Sequence, residues 1–312
     1  MIENNTISNT DIMKFLPVMP EDYDRIYPFT SAFGEDSCQH SPVSMYSLSE
    51  KYGDQFCIRD GVLYTLRSRL CDENYRVYLA PLGGGESKEM FGRILADAAA
   101  YGKKVKFITL TEKAAAALRE AFPDRFDYRM DRNLAEYIMD RRTMAEFPGK
   151  IHARRRTEIR SFWRDYENRA EAHEMTQADF DEVLAFAEKW LRENAEPRDD
   201  VALHHEMEGI RKHLTHFALL HLSGTVIRVD GQIRGFCYGT PLNASCYDVL
   251  IEKGVRSIPG VYRVLRQEST RINVAAFSYI NFEEDLGIPG LRKVKESYAP
   301  AFLINKYIVT ER

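Results

Sequence analysis

Two Asp-Gly turns set 170 residues apart constrain the fold of this chain more than any other feature. Asp60-Gly61 separates Gln55-Phe-Cys-Ile-Arg59 from Val62-Leu-Tyr-Thr-Leu66, and Asp230-Gly231 separates Thr225-Val-Ile-Arg-Val229 from Gln232-Ile-Arg-Gly-Phe236. Asp-Gly between two apolar runs reads as a β-hairpin, because the two central positions of a tight turn need positive φ. The same offset carries Tyr75–Leu79 onto Ser245–Val249, Val105–Leu110 onto Ala275–Ile280, and Glu136-Tyr-Ile138 onto Lys306-Tyr-Ile308. An internal repeat of this kind predicts two copies of one supersecondary unit.

Each copy reads as a hairpin, a strand, a loop, a helix, a strand, a helix and a closing strand, which is an α+β order. In the first copy the loop is Pro81-Leu-Gly-Gly-Gly-Glu-Ser87. The helix after it carries Met90, Phe91, Ile94, Leu95, Ala98 and Ala99 on one buried face, and the next runs from Glu112 to Ala121 before Pro123 stops it. The 312 residues suffice for two such units, and 44% hydrophobic with 12% aromatic residues excludes a disordered chain. A net charge of −4 excludes a general polycation, so any nucleic-acid contact must be local. The five cysteines form no C-x-x-C pair, and Met1–Thr6 does not start a secretory signal. No run approaches about 18 apolar residues, so a cytoplasmic protein without an integral membrane segment is expected.

Two helical patterns lie between the copies. Thr176 and Asp179 form a capping box ahead of Phe180, Val183, Leu184, Ala187, Trp190 and Leu191. Upstream, Ile159, Phe162, Trp163 and Tyr166 form a buried stripe, and at about 100° per residue Lys150, Arg154, Arg160 and Arg164 fall on the opposite side. That basic stripe is a candidate contact for phosphate or RNA.

The element order is that of the GNAT acyltransferase fold, present twice. The segment Asp285-Leu-Gly-Ile-Pro-Gly-Leu-Arg292, continuing through Lys293, Lys295, Tyr298 and Pro300 to Asn305-Lys306-Tyr307, resembles the closing signature of bacterial proteins related to the C-terminal domain of phosphatidylglycerol lysyltransferases. The basic run from Lys150, Phe15 with Pro17, Glu21-Asp22 and Tyr52-Gly-Asp-Gln-Phe56 are similar too. The resemblance implies two tandem GNAT-like repeats packed into one body: residues 12–147, a basic connecting helix over 148–169, and 170–312 with the active site. It also implies transfer of an acyl or aminoacyl group, with aminoacyl-tRNA or acyl-CoA as donor and a small-molecule or peptide amine or hydroxyl as acceptor. The alternatives are an acyl-CoA-dependent N-acetyltransferase and a catalytically silent binding module. The usual GNAT phosphate loop, Arg/Gln-x-x-Gly-x-Gly/Ala, follows neither central strand, where the chain reads Pro81-Leu-Gly-Gly-Gly85 and Glu252-Lys-Gly-Val-Arg256, and this argues against acetyl-CoA.

Acyl transfer needs a base for the acceptor and an acid for the leaving group. In the second copy, period-two alternation sets Asn281, Glu283 and Asp285 on one side of a strand end, so Glu283 or Asp285 is the candidate base and Tyr298 the candidate acid. The same acids can instead cap the following helix. Arg292 and Lys295 share a helical face and can hold an anion, as can Glu252 and Lys253 at the central strand's end hold a substrate; Lys306 joins that substrate-binding set. His204, His205, His213, His216 and His221 match no metal motif, so no metal and no tightly bound cofactor is expected.

Overall fold

The computed structural model describes residues 12–194 and 200–312; Met1–Thr6, read above for a secretory signal, lies outside the described residues. Two compact units are present, one made of Met1–Ala135 and Ile304–Arg312 and the other of Glu136–Leu303.

The first unit begins with β1 (Leu16–Pro17) and helices α1 (Tyr23–Phe33), α2 (Pro42–Ser47) and α3 (Ser49–Tyr52). The expected hairpin follows as β2 (Asp54–Arg59) and β3 (Val62–Arg67), then β4 (Tyr75–Tyr78), β5 (Leu82–Gly83), α4 (Ser87–Ala100), β6 (Lys104–Thr111), α5 (Glu112–Ala121) and β7 (Phe126–Met130). Asp60 and Gly61 both have positive φ at the hairpin turn. Helix α4 buries Met90, Phe91, Ile94, Leu95 and Ala98 as its three-four spacing requires, whereas Ala99, expected on the same face, is exposed.

The second unit contains β8 (Glu136–Asp140), α6 (Arg141–Glu146), α7 (Ala153–Asp165), β9 (Ala170–Glu174), α8 (Phe180–Asn194) and α9 (Asp200–Thr215). Its hairpin is β10 (Ser223–Val229) with β11 (Gln232–Pro241), followed by β12 (Cys246–Gly254), α10 (Val261–Ile272), β13 (Tyr279–Glu284), α11 (Pro289–Ser297) and β14 (Phe302–Ile304). The Thr176–Asp179 capping box forms ahead of α8.

The two sheets have corresponding orders. The first runs β1-β2-β3-β4-β6-β15-β7, where β15 is Lys306–Glu311, and the second, read from its hairpin end, runs β9-β10-β11-β12-β13-β8-β14. In each the strand after the hairpin runs parallel to the next, β4 to β6 and β12 to β13, while the neighbouring pairs of known direction are antiparallel. These are two GNAT-like α+β repeats.

Three expectations are corrected. The closing strands are exchanged: β8 lies beside β13 in the second sheet, and β15 lies between β6 and β7 in the first. The compact units therefore divide at Ala135 and near Ile304, not at residues 147 and 170. The common offset also fails before β13, because Val274–Phe277 form a turn that delays the strand. The bulged residues Thr109 of β6 and Glu283 of β13, with φ of 56° and 55°, correspond across the sheets at an offset of 174.

Candidate active site

The parallel pair β12 and β13 is in register only over Cys246–Asp248 with Tyr279–Asn281. Beyond Asp248, β12 continues to Gly254 on β11 alone, with an extra residue at Leu250 that bends it. Gly239 lies opposite this bend, where an added Cβ would fall 1.8 Å from the Asp248 carbonyl oxygen. The strands splay apart, and a cavity of about 210 Å³ opens between them, walled by Val249, Leu250, Phe282, Leu291 and Val294. Glu206, Glu252, Lys253, Arg266, Glu283, Lys295 and Tyr298 bring charge and hydrogen-bonding capacity to it.

Of the expected site residues, the structure gathers Glu283, Tyr298, Lys295, Glu252 and Lys253 around this one cavity. Glu283 is there because of the bulge. The β13–β8 register slips between Asn281 and Glu284, and Glu283 takes a left-handed backbone that breaks the simple alternation. Asn281 is fully buried, donates to Glu136 at 2.6 Å and accepts the Glu283 N–H at 2.7 Å. Asp285 accepts from Tyr137 at 2.6 Å and takes a two-pronged contact from Arg292 at 2.7 and 2.8 Å. Arg292 and those hydrogen bonds hold the Asp285 carboxyl well below the usual range despite its burial. Asp285 and Arg292 thus brace the β13–α11 turn and are not among the cavity-lining residues.

Lys295 donates to the carbonyls of Phe282 (2.5 Å) and Glu284 (2.6 Å), fixing the bulge rather than pointing to solvent. Lys253 pairs with Glu206 and lies 4.2 Å from the Trp190 ring centre, while Trp190 donates to the Gly254 carbonyl. Lys306 is the clear departure: it is fully buried in β15 of the first unit, bonded to Ser37, because the closing strands are exchanged.

Sequence reading missed the group that organises the acid. Arg266 of α10 binds Glu252 through two hydrogen bonds of 2.7 and 2.8 Å and lies 4.6 Å from the Tyr298 ring centre. Burial works against its charge, but Glu252 and Tyr298 outweigh burial and raise its pKa. Arg155 of α7 covers the same ring at 4.2 Å and donates to the Ser297 carbonyl and hydroxyl at 2.7 Å. Nothing in their spacing links residues 155, 266 and 298; the fold alone brings them together. Asp248 was missed as well, although an acid inside the apolar strand Cys246–Ile251 is itself a signal.

Burial pushes the Glu283 carboxyl up to about 8, with Glu284 adding repulsion and Lys295 opposing it. Since its ordinary value is 4.5, the folded state holds this proton more tightly than the unfolded chain, and the contribution of Glu283 to stability falls as pH rises from about 4.5 to 8. Glu283→Gln is therefore expected to gain in stability relative to the parent with each step from pH 5 to pH 8. Urea melts at four pH values test this; a difference that stays constant across the range contradicts it.

The stripe residues Lys150, Arg154, Arg160 and Arg164 are all exposed, while Ile159 and Phe162 are buried and Trp163 and Tyr166 pack against the core. Arg154 pairs with Glu158 and Arg164 with Asp165, so part of the stripe's charge is locally matched. Helix α7 also abuts the start of α10. A Cβ on the N-cap Gly260 would lie 2.9 Å from the Glu158 carbonyl, and the Glu158 carboxylate pairs with Arg263. Among the histidines, His213 is buried on the Tyr238 hydroxyl at 3.1 Å, and burial pushes its pKa down to about 3. No helix among the described residues is long and apolar enough to cross a membrane.

Residues 32–310 match the family described as "Phosphatidylglycerol lysyltransferase, C-terminal". A crystal structure of a conserved protein of unknown function from Bacteroides thetaiotaomicron VPI-5482 is similar with a TM-score of 0.90 and 28% identity, covering 96% of this chain and 100% of that one. L-PGS from Bacillus licheniformis has a similar fold, with a TM-score of 0.67 at 15% identity over 93% of this chain and 92% of its own. An uncharacterised protein of Mycoplasmoides gallisepticum is 25% identical over 176 residues, so the chain spans about half the length of this curated relative, 55%.

Proposed function

This chain belongs to the phosphatidylglycerol lysyltransferase C-terminal family, and from that membership and the splayed cavity we propose that it transfers an aminoacyl group from aminoacyl-tRNA to a nucleophilic acceptor. The observation that carries the reading is the convergence on one cavity of a carboxylate with a raised pKa and a phenol braced by two guanidinium groups. Glu283 takes the proton from the acceptor as its nitrogen or oxygen attacks the ester carbonyl. As the tetrahedral intermediate collapses, the bond to the ribose oxygen breaks and Tyr298 gives that oxygen its hydroxyl proton. Arg266 then stands beside the charge left on the phenol oxygen.

The donor preference rests on the start of α10. There an ordinary GNAT would expose its phosphate loop; here the Glu158 carbonyl and carboxylate crowd Gly260 and Arg263. An acidic group and a close backbone contact disfavour an incoming pyrophosphate. Incubation with radiolabelled aminoacyl-tRNAs, and separately with acyl-CoAs, in a membrane-free extract tests the choice. Label should move only from aminoacyl-tRNA; transfer from acyl-CoA alone makes the chain an N-acetyltransferase, and no transfer from either makes it a binding module.

The basic residues of α7, with Lys150 in the turn before it, are assigned to the donor's phosphates. If Lys150, Arg154, Arg160 and Arg164 each make one contact, tRNA affinity should fall with log salt at a slope of about −3 to −4. Replacing all four by Gln should flatten the slope without unfolding the chain, since all four side chains are exposed. Filter binding across a salt series measures it, and an unchanged slope removes the stripe from the account.

A further inference from the structure

We infer that the cavity between β12 and β13 selects a neutral aliphatic aminoacyl group of leucine or methionine size, and that Leu250, Phe282, Leu291 and Val294 are the residues that read its side chain. The inference rests on the transferase reading for what is done with that group, not for what the cavity holds.

The apolar walls come from three elements of one unit. The bulge at Leu250 lets the sequence neighbours Val249 and Leu250 of β12 both face the cavity. Phe282 enters from β13, and Leu291 and Val294, three apart on α11, share a helical face. Contact with these walls removes apolar surface from water, which favours an aliphatic occupant.

The charged groups around the cavity are matched to partners within the protein. Glu252 is held by Arg266 at 2.7 and 2.8 Å, Glu206 pairs with Lys253, and the Lys295 ammonium donates to the carbonyls of Phe282 and Glu284. Glu283, the remaining carboxylate, keeps its proton up to about pH 8 and adds little negative charge at neutral pH. A lysyl or arginyl side chain would therefore have to displace one of these cations or enter without a counter-charge, and either is costly. An acidic side chain would meet Glu206 and Glu252.

Size narrows the choice further. An apolar cavity of about 150 Å³ takes a six-carbon ring, so one of about 210 Å³ has room for about eight heavy atoms. A leucyl or methionyl group fills that space, a phenylalanyl group exceeds it, and an alanyl group leaves part of it empty. A lysyl group is close in size, so charge is what excludes it.

Norleucine and ornithine have side chains of the same shape and differ only in a terminal methyl or ammonium group. Calorimetric titration of the full chain with norleucinamide and with ornithinamide therefore isolates the charge, without any donor RNA. Norleucinamide should bind saturably and at least tenfold more tightly, and Val294→Asp, at a partly exposed wall position, should reverse the preference. Equal binding of the two amides, tighter binding of ornithinamide, or no saturable binding of norleucinamide overturns the inference. The ratio measured on the unsubstituted chain decides the matter even where Val294→Asp does not fold. One tRNA sequence charged by a ribozyme with each amino acid then separates this inference from the reading it rests on. Selective binding of norleucinamide with no label transfer from either charged tRNA sinks the transferase reading alone. Label transfer at equal rates from both, with both amides bound equally, sinks this inference alone.

Discussion

Tyr298→Phe is expected to lower the rate constant for aminoacyl transfer by about 10²–10⁴-fold, the range for loss of a positioned general acid. The ring should stay in place, because its contacts with Arg155, Arg266 and Phe147 are made by the aromatic face and edge rather than the hydroxyl. The loss should fall on kcat with KM little changed, since a proton donated to the leaving oxygen acts in the transition state and not on the bound donor. Single-turnover transfer at saturating donor reads this directly. A loss confined to KM would make Tyr298 a binding residue, and a parallel fall in melting temperature would make it a packing residue.

Ending the chain at Asn305 is expected to unfold the first unit. Strand β15 is an interior strand of that sheet, with Tyr307 and Val309 opposite Leu110 and Phe107 of β6 and opposite Met130 and Tyr128 of β7. Its removal breaks two ladders and takes away the fully buried Val309 and Lys306. It also removes Glu311, which accepts the Val105 N–H at 2.8 Å and a two-pronged contact from Arg125. A domain has only about 5–15 kcal/mol of net stability, and burying one Val side chain is worth about 1.5–3 kcal/mol before any hydrogen bond is counted. Hydrogen exchange should show β6 and β7 unprotected in the shortened chain. Native-like protection of Lys104–Thr111 in it would mean that the exchanged strand is dispensable.

What the sequence disclosed, and what it hid, follows from the range of each signal. The hairpins at Asp60-Gly61 and Asp230-Gly231, the faces of α4 and α7 and the cap at Thr176 depend on neighbours a few residues away, and all are present. The exchange of β8 and β15 left no trace, because a repeat encodes which position in a sheet a strand fills and not which copy of the sheet receives it. Lys306 was drawn to the wrong unit by that ambiguity. Alternation along β13 placed Glu283 with Asn281 and Asp285, and the bulge separated them: Glu283 faces the cavity, while the other two are tied to Glu136, Tyr137 and Arg292. Arg266 was invisible because its partners Glu252 and Tyr298 come from a different strand and helix, joined only by tertiary structure.

The central claim is that the transferred group is held between the diverging strands β12 and β13. The most direct measurement is photo-cross-linking with tRNA charged with a diazirine-bearing aliphatic amino acid, followed by peptide mass spectrometry. The account predicts adducts on Leu250, Phe282, Leu291 or Val294, suppressed by excess unmodified aminoacyl-tRNA. Adducts confined to the first unit, or spread over the surface and indifferent to competitor, would contradict it.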